Sequence, residues 1–384
     1  MKIRKKLYTE ENVLEAARNR IRHLYDSFDS VCVSFSGGKD STACLNLCVE
    51  IARERGRLPV RAIFFDEEAI HPPTVEYVNR VNEREDVALE WFCLPVQHRN
   101  ACSNDEPFWM CWEESKRDLW VRPMPGNAIA SHPLFKIGMS FQEFCPLIVG
   151  RNGCIIQGIR TEESLRRYQV VANKKNDNYI TRQKTTASGF PIYDWSSQDV
   201  WRYVTESGCD YNRFYDILNR TRKYNNFLSQ RVCPPFGEEP LRGLWLYAEC
   251  FPDMWEAMLK RVTGAATAWR YANTELYRTG SKPTNLSWQE YIKILVGNYT
   301  EISTREEVSL NLDAMKREHF NKTSEPIPNE TPHPVTGCSW KFLSASVQRG
   351  DFKGRQKQQM HAKGAATRTK LGITNDEAKK LYGK

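Results

Sequence analysis

Residues Val31–Gly56 read VCVSFSGGKDSTACLNLCVEIARERG. The β-branched apolar run VCVSF predicts a short buried strand, and STACLNLCVEIARERG predicts a helix that stops at Gly56. Between them lie Ser36, Gly37, Gly38, Lys39, Asp40 and Ser41. Glycine lets the backbone approach a ligand closely, and the first N–H groups of a helix have no partner within it. A strand–glycine–helix junction is therefore suited to an anion. Lys39 adds a positive charge, and Ser34, Ser36 and Ser41 add hydroxyl donors. Charge-assisted bonds of this kind contribute roughly 1.5–3 kcal/mol each. A turn that uses glycine only for its geometry is the plainer alternative, and the flanking serines and lysine weigh against it. The run is not a Walker A loop, because Asp40 follows Lys39 where Ser or Thr would be required.

Working outward, TEENVLEAARNRIRHLYDSF predicts a first helix capped by Thr9, with Val13, Ala17, Ile21, Leu24 and Phe28 on one face. PVRAIFFDEE, LEWFCLPV and GCIIQGIR read as further strands, and PTVEYVNRVNER as a helix opened by prolines. Strands alternating with helices predict an α/β fold: a parallel twisted sheet flanked by helices. Beyond about Cys209 the strand signals thin out and the chain becomes helical in period and rich in Trp and Tyr. Gly350, Gly354, Gly364 and Gly372 suggest that only short helices form near the end.

The 384 residues carry a net charge of +8, and the stretch from Lys341 onward holds eleven Lys and Arg against three acids, which accounts for the whole excess. That favours a local basic surface, to meet nucleic acid or an acidic partner, over a uniformly cationic protein; a solvated basic tail is the plain alternative. No run approaches the ~18 apolar residues of a membrane-spanning helix, and no apolar segment follows the basic start, so a cytoplasmic protein without membrane association is expected. Twelve cysteines form no C-x-x-C pair and no zinc spacing. They read as reduced structural thiols; an iron–sulfur cluster is not indicated by their spacing, although scattered cysteines could still assemble one.

SFSGGKDST resembles the pyrophosphate-binding loop of the N-type ATP pyrophosphatases, the PP-loop or adenine nucleotide alpha hydrolase-like superfamily. GIRTEESLRRY (Gly158–Tyr168) and PIYDWSSQDVWRYV (Pro191–Val204) resemble segments of the phosphoadenosine phosphosulfate (PAPS) reductases and of sulfate adenylyltransferase small subunits. CPPFGEEPLRGLW and GCSWKFLSASVQRGDF are similar to a bacterial PAPS reductase-like subgroup with an extra C-terminal domain. The resemblance implies a Rossmann-like nucleotide-binding domain over 30–208. An N-terminal helix over 1–29, a helical accessory domain over 209–330 and a basic segment over 331–384 complete the expected layout.

It further implies that ATP, or a related sulfonucleotide, binds with Mg²⁺ and is attacked at its α-phosphate. Lys39, Asp40 and Arg160 are the expected catalytic residues. Ser34, Ser36, Gly37, Gly38, Ser41, Thr42, Asp66, Gly158, Arg166 and Arg167 are expected to join Lys39 and Arg160 in holding the nucleotide and its phosphates. Asp40 and Asp66 are the expected Mg²⁺ ligands. Arg160 ends a strand, where α/β sheets place ligands, and arginine forks match oxyanions. For Arg167 a solvated helix face is the alternative. Where the family carries Asp-Thr-Gly, this chain has Asp66, Glu67 and Glu68, and His71 reads as a loop residue. The resemblance also implies a ParB/sulfiredoxin-like partner, in DNA modification, phage defence or regulation. Two alternatives stand beside α-phosphate chemistry. One is a thiol-dependent PAPS or APS reductase, for which Cys338 is the nearest candidate nucleophile, although the family's Glu-Cys-Gly-x-His segment is absent. The other is a nucleotide-sensing, nucleic-acid-binding regulator.

Overall fold

In the computed structural model the described residues are 9–103, 105–172, 178–220, 232, 236, 244–271, 282–299, 302–349 and 355–384. Helix α1 (Val13–Ser27) is capped by Asn12, whose side-chain oxygen accepts from the N–H groups of Leu14 and Glu15 at 3.0 Å. Thr9, the expected cap, lies outside the helix, because Asn12 satisfies two of the orphan N–H groups directly. There follow β1 (Ser30–Ser34), α2 (Lys39–Glu54), β2 (Val60–Phe65), α3 (Pro72–Asn82) and β3 (Val87–Phe92). Short strands β4 (Gln97–Arg99) and β5 (Phe108–Met110) lie outside the main sheet. Then come α4 (Phe141–Val149), β6 (Gly153–Gln157), α5 (Leu165–Ala172), β7 (Ile180–Arg182), β8 (Thr186–Gly189), α6 (Ser197–Ser207), α7 (Phe214–Arg220), α8 (Leu244–Cys250) and α9 (Pro252–Arg261).

The six-stranded sheet runs β3-β2-β1-β6-β8-β7. All neighbours pair in parallel except β7 with β8. Its core is the expected one: Val31, Cys32 and Val33 of β1 and Cys44, Leu47, Cys48 and Ile51 of α2 are buried. The chain winds outward from β1 through β2 to β3, then returns to place β6 on the other side of β1. The sheet therefore changes direction beside β1, the place where open α/β sheets bind ligands at the carboxyl ends of their strands.

Two compact units divide the chain at places other than the expected boundaries of 208 and 330. The unit built on the sheet comprises Ile3–His98 and Phe108–Arg261 and thus keeps α7, α8 and α9. The other comprises Arg99–Pro107 and Val262–Lys384, and holds α10 (Ala265–Tyr271), α11 (Trp288–Gly297), α12 (Ile302–Lys322), α13 (Trp340–Arg349), α14 (Arg355–Leu371) and α15 (Asn375–Tyr382). Contrary to the expectation of short helices, α14 runs for 17 residues straight through Gly364. A Cβ on Gly337 would lie 1.6 Å from the Met360 carbonyl oxygen, and one on Gly364 would lie 3.0 Å from the Gly337 nitrogen. Gly364 is thus a packing residue where helix backbone meets turn backbone. Among the described residues no helix is long and apolar enough to cross a membrane.

Candidate functional site

The loop after β1 is held largely by its own side chains. Ser41 Oγ accepts the Ser36 N–H at 3.1 Å, lies 3.0 Å from Ser36 Oγ and donates to the Gly38 carbonyl at 2.9 Å. Gly37 sits at φ +70°, a conformation that favours glycine, and a Cβ there would also reach Thr74 Cγ2 at 3.0 Å. Gly38 is the N-cap of α2 and offers no side chain to it. Two distant residues complete the loop. Asn212 donates to the Gly37 carbonyl at 3.0 Å and to Thr74 Oγ1 at 2.9 Å, and the Tyr215 hydroxyl accepts the Lys39 N–H at 3.0 Å. Neither Asn212 nor Tyr215 was a candidate from sequence, since nothing local ties them to a loop some 175 residues earlier. Thr42 is fully buried, with its hydroxyl 3.0 Å from that of Tyr77, and so supports α2 from inside.

Charges alternate beneath the loop. Lys39 Nζ lies 3.0 Å from Asp40 Oδ2, and Arg160 Nε lies 2.5 Å from Asp40 Oδ1. The other edge of Arg160 reaches Glu162 at 3.2 Å, and Glu163 pairs with Arg167. The Arg160 side chain is only 1% exposed. It lies three residues beyond β6 and is a strut that aims Asp40, not the open oxyanion fork expected at a strand end. Gly158 has a steric reason: a Cβ there would stand 2.6 Å from the Asp40 carbonyl carbon, so only glycine lets the end of β6 lie against the start of α2. Arg167, expected to hold phosphate, is half-exposed and tied to Glu163. The Arg166 side chain lies outside the described residues.

After β2, Asp66, Glu67 and Glu68 take three separate roles. Asp66 is buried, accepts the Trp91 indole N–H at 2.9 Å and the Glu68 N–H at 3.0 Å, and pairs with Arg122. Glu68 is buried against Arg261, Nε to Oε1 at 2.9 Å, and accepts the N–H groups of Trp112 at 2.7 Å and Val121 at 3.1 Å. Glu67 turns into a cavity. The proposed Mg²⁺ pair is thus revised: Asp66 has no exposed surface and already faces a guanidinium, while Asp40 keeps 18% exposure. Among the described residues no group of three or more His, Cys, Asp or Glu is arranged for a metal.

The cavity, about 350 Å³, opens at the carboxyl ends of β1, β2, β6 and β8. Ser34 and Ser36 bring the loop to it, Phe64, Phe65 and Phe141 give it an aromatic wall, and Gln157, Gln183 and Ser188 line the side of β6 and β8. Cys145 also lines it, but burial pushes its thiol up to about 12. Burial likewise pushes Cys338 up to about 12, so the nearest candidate nucleophile for a reductase stays protonated near neutral pH. His71 is neither a base nor an open loop residue. It is buried, stacked 3.7 Å from the Phe214 ring and 4.2 Å from the Tyr247 ring, and burial holds its imidazole down to about 3.

Comparison with known proteins matches the phosphoadenosine phosphosulfate reductase domain to residues 30–221, and a domain of unknown function (DUF3440) to residues 225–348. The chain is 33% identical over 368 residues to the uncharacterized protein YbdN of Escherichia coli (strain K12), covering 89% of each chain. A PAPS reductase from Candida auris, solved as a phosphate complex, aligns with 56% of this chain and 94% of its own at 14% identity, with a TM-score of 0.33. An FMN adenylyltransferase from Candida glabrata aligns with 55% of this chain and 62% of its own at 12% identity, also at 0.33.

Proposed function

Because the chain belongs to the phosphoadenosine phosphosulfate reductase domain family, with an added C-terminal domain, we propose that it binds an adenine nucleotide on the Ser34–Thr42 loop and acts at the α-phosphate of ATP. The observation that carries this reading is the 350 Å³ cavity at the switch in strand order, which Ser34 and Ser36 line immediately before the glycines that lead into α2. An acceptor nucleophile attacks the α-phosphorus, the bond from that phosphorus to the bridging oxygen breaks, and pyrophosphate leaves with the electron pair while the acceptor proton passes to solvent. Lys39, at the start of α2, stabilises the charge gathering on pyrophosphate, a contribution of about 10²–10³ in rate per donor. Asp40 and Arg160 position Lys39. Magnesium bound to the nucleotide would offset phosphate charge, and of Asp40 and Asp66 it is Asp40, with 18% exposure, that would meet it.

The test is incubation with magnesium and α-labelled ATP beside Lys39→Ala. Labelled AMP or an AMP adduct, formed with pyrophosphate and lost in the variant, is the expected result. Pyrophosphate release unchanged in Lys39→Ala would overturn the assignment.

A second reading, compatible with the first, places nucleic acid on the C-terminal unit, whose α14 and α15 expose Lys363, Lys370, Lys379 and Lys380. Contact with ~4–6 phosphates would make log affinity fall with log salt at roughly 0.9 per phosphate, and salt-insensitive binding would remove it.

A further inference from the structure

Among the described residues that line the cavity, Glu67 is the one with a formal charge. Its neighbours explain how it comes to be there. Asp66 and Glu68 point away from the cavity into buried partnerships, with Arg122 and with Arg261. Two of the three non-glycine residues with positive φ in the described chain, Glu68 at 63° and Trp112 at 51°, belong to this clamp, and Trp112 N–H donates to Glu68 at 2.7 Å. Left-handed backbone at such residues costs about 1–3 kcal/mol each and persists only where the surroundings over-determine it. What the clamp accomplishes is the presentation of the intervening side chain. His98 lies beside Glu67, Nδ1 to Oε1 at 3.6 Å, with its ring 5.7 Å from that of Phe141.

We propose that Glu67 is the specificity-determining residue of the cavity: it accepts hydrogen bonds from the hydroxyl groups of an unmodified ribose and rejects adenine nucleotides that carry a phosphate on the 3′ oxygen. This rests on the reading above, in which the loop holds the 5′ phosphates. A nucleotide anchored there brings its ribose and base into the rest of the same cavity. The aromatic wall suits the base, and a carboxylate suits a diol, to which it offers two acceptor oxygens. A phosphate in the diol's place would bring two further negative charges against a shielded carboxylate, where like charges repel far more strongly than in water. All of the remaining polar lining, Gln142, Gln157, Gln183 and Ser188 among it, is neutral. The ligand class is therefore adenosine 5′-phosphates with a free 3′-hydroxyl.

The test is calorimetric titration of the full-length chain with adenosine 5′-phosphosulfate and with its 3′-phosphorylated form, beside ATP. The unmodified nucleotide is expected to bind at least about tenfold more tightly. Glu67→Gln should bring the two within about threefold, chiefly because the 3′-phosphorylated form gains affinity, and Glu67→Lys should invert the preference. Glu67→Ala, checked by thermal melting, covers the case in which either variant is poorly folded. A wild-type chain that binds the 3′-phosphorylated form as tightly, or a ratio unchanged in Glu67→Gln, overturns the proposal. Discrimination without pyrophosphate release removes the α-phosphate chemistry and leaves the role of Glu67 standing; a folded chain that binds none of the three nucleotides removes both.

Discussion

Two neighbouring loops leave the same edge of the sheet, and they are held in opposite ways. The loop after β1 is shaped mainly from within: Ser36 and Ser41 hydrogen-bond to each other and to the turn between them. The loop after β2 is shaped from without. Its acids are fixed by Trp91, Trp112, Arg122 and Arg261, the last lying 193 residues beyond Glu68. A loop that carries its own partners in sequence is readable from sequence. One that borrows them from distant parts of the chain is not, although it is no less determined.

The largest effect is expected where the borrowed partner is removed. Arg261→Ala strips the buried Glu68 carboxyl of its guanidinium partner, a change that costs about 3–5 kcal/mol. Urea unfolding should show a loss of that size, and the paired replacement Glu68→Gln with Arg261→Met should recover part of it. A loss under about 1 kcal/mol would mean that the loop after β2 holds itself, and the contrast between the two loops would fail.

The same contrast accounts for what could be read in advance. The sheet, its flanking helices and the glycine–lysine junction follow from periodicity and from local hydrogen-bonding chemistry, and these reappear as β1, α2, β2, α3, β3 and β6. Asp66 and Arg160 show where reading stops. Asp66 directly follows β2 and Arg160 lies three residues beyond β6, near where ligands usually sit, yet Arg122 and Trp91 bury one and Asp40, Glu162 and Glu163 surround the other. Residue type and strand end gave their position; only long-range pairing decides which way such a side chain is spent. Asn212 and Tyr215 are the converse case, invisible in sequence and bound to the loop backbone.

His71 carries the contrast into pH. Its ring is stacked between Phe214 and Tyr247, so the loop after β2 is also secured to α7 and α8. Burial holds the imidazole down to about 3, whereas in the unfolded chain it protonates near 6.5. Stability from this residue is thus present above pH ~6.5 and is lost as pH falls toward 3, at roughly 1.4 kcal/mol per pH unit. Between pH 7 and pH 5 the wild-type chain should lose about 2 kcal/mol more than His71→Phe, which keeps the stack and cannot titrate. Parallel melting curves for the two proteins across that range would contradict it.

Gly158→Ala probes the self-held loop from below. The added methyl meets Asp40 backbone at 2.6 Å, where no flexible side chain can give way. A loss of about 1–3 kcal/mol is expected, together with weaker ATP binding, because the start of α2 and the loop move as one piece. Unchanged stability would show that β6 and α2 can separate without cost.

The smallest effect tests how far the loop after β1 is self-sufficient. Tyr215→Phe removes the hydroxyl that accepts the Lys39 N–H at 3.0 Å, leaving a buried donor without that acceptor. Such a change costs about 1 kcal/mol, measurable in urea. Tyr215 is 1% exposed, so its hydroxyl faces protein and a phosphate does not compete for its place. ATP affinity should accordingly fall by less than about tenfold, tracking the stability loss of about 1 kcal/mol. A larger fall at unchanged stability would mean that the hydroxyl reaches the nucleotide itself. The loop after β1 would then depend on α7 for binding as fully as the loop after β2 depends on α9 for its shape.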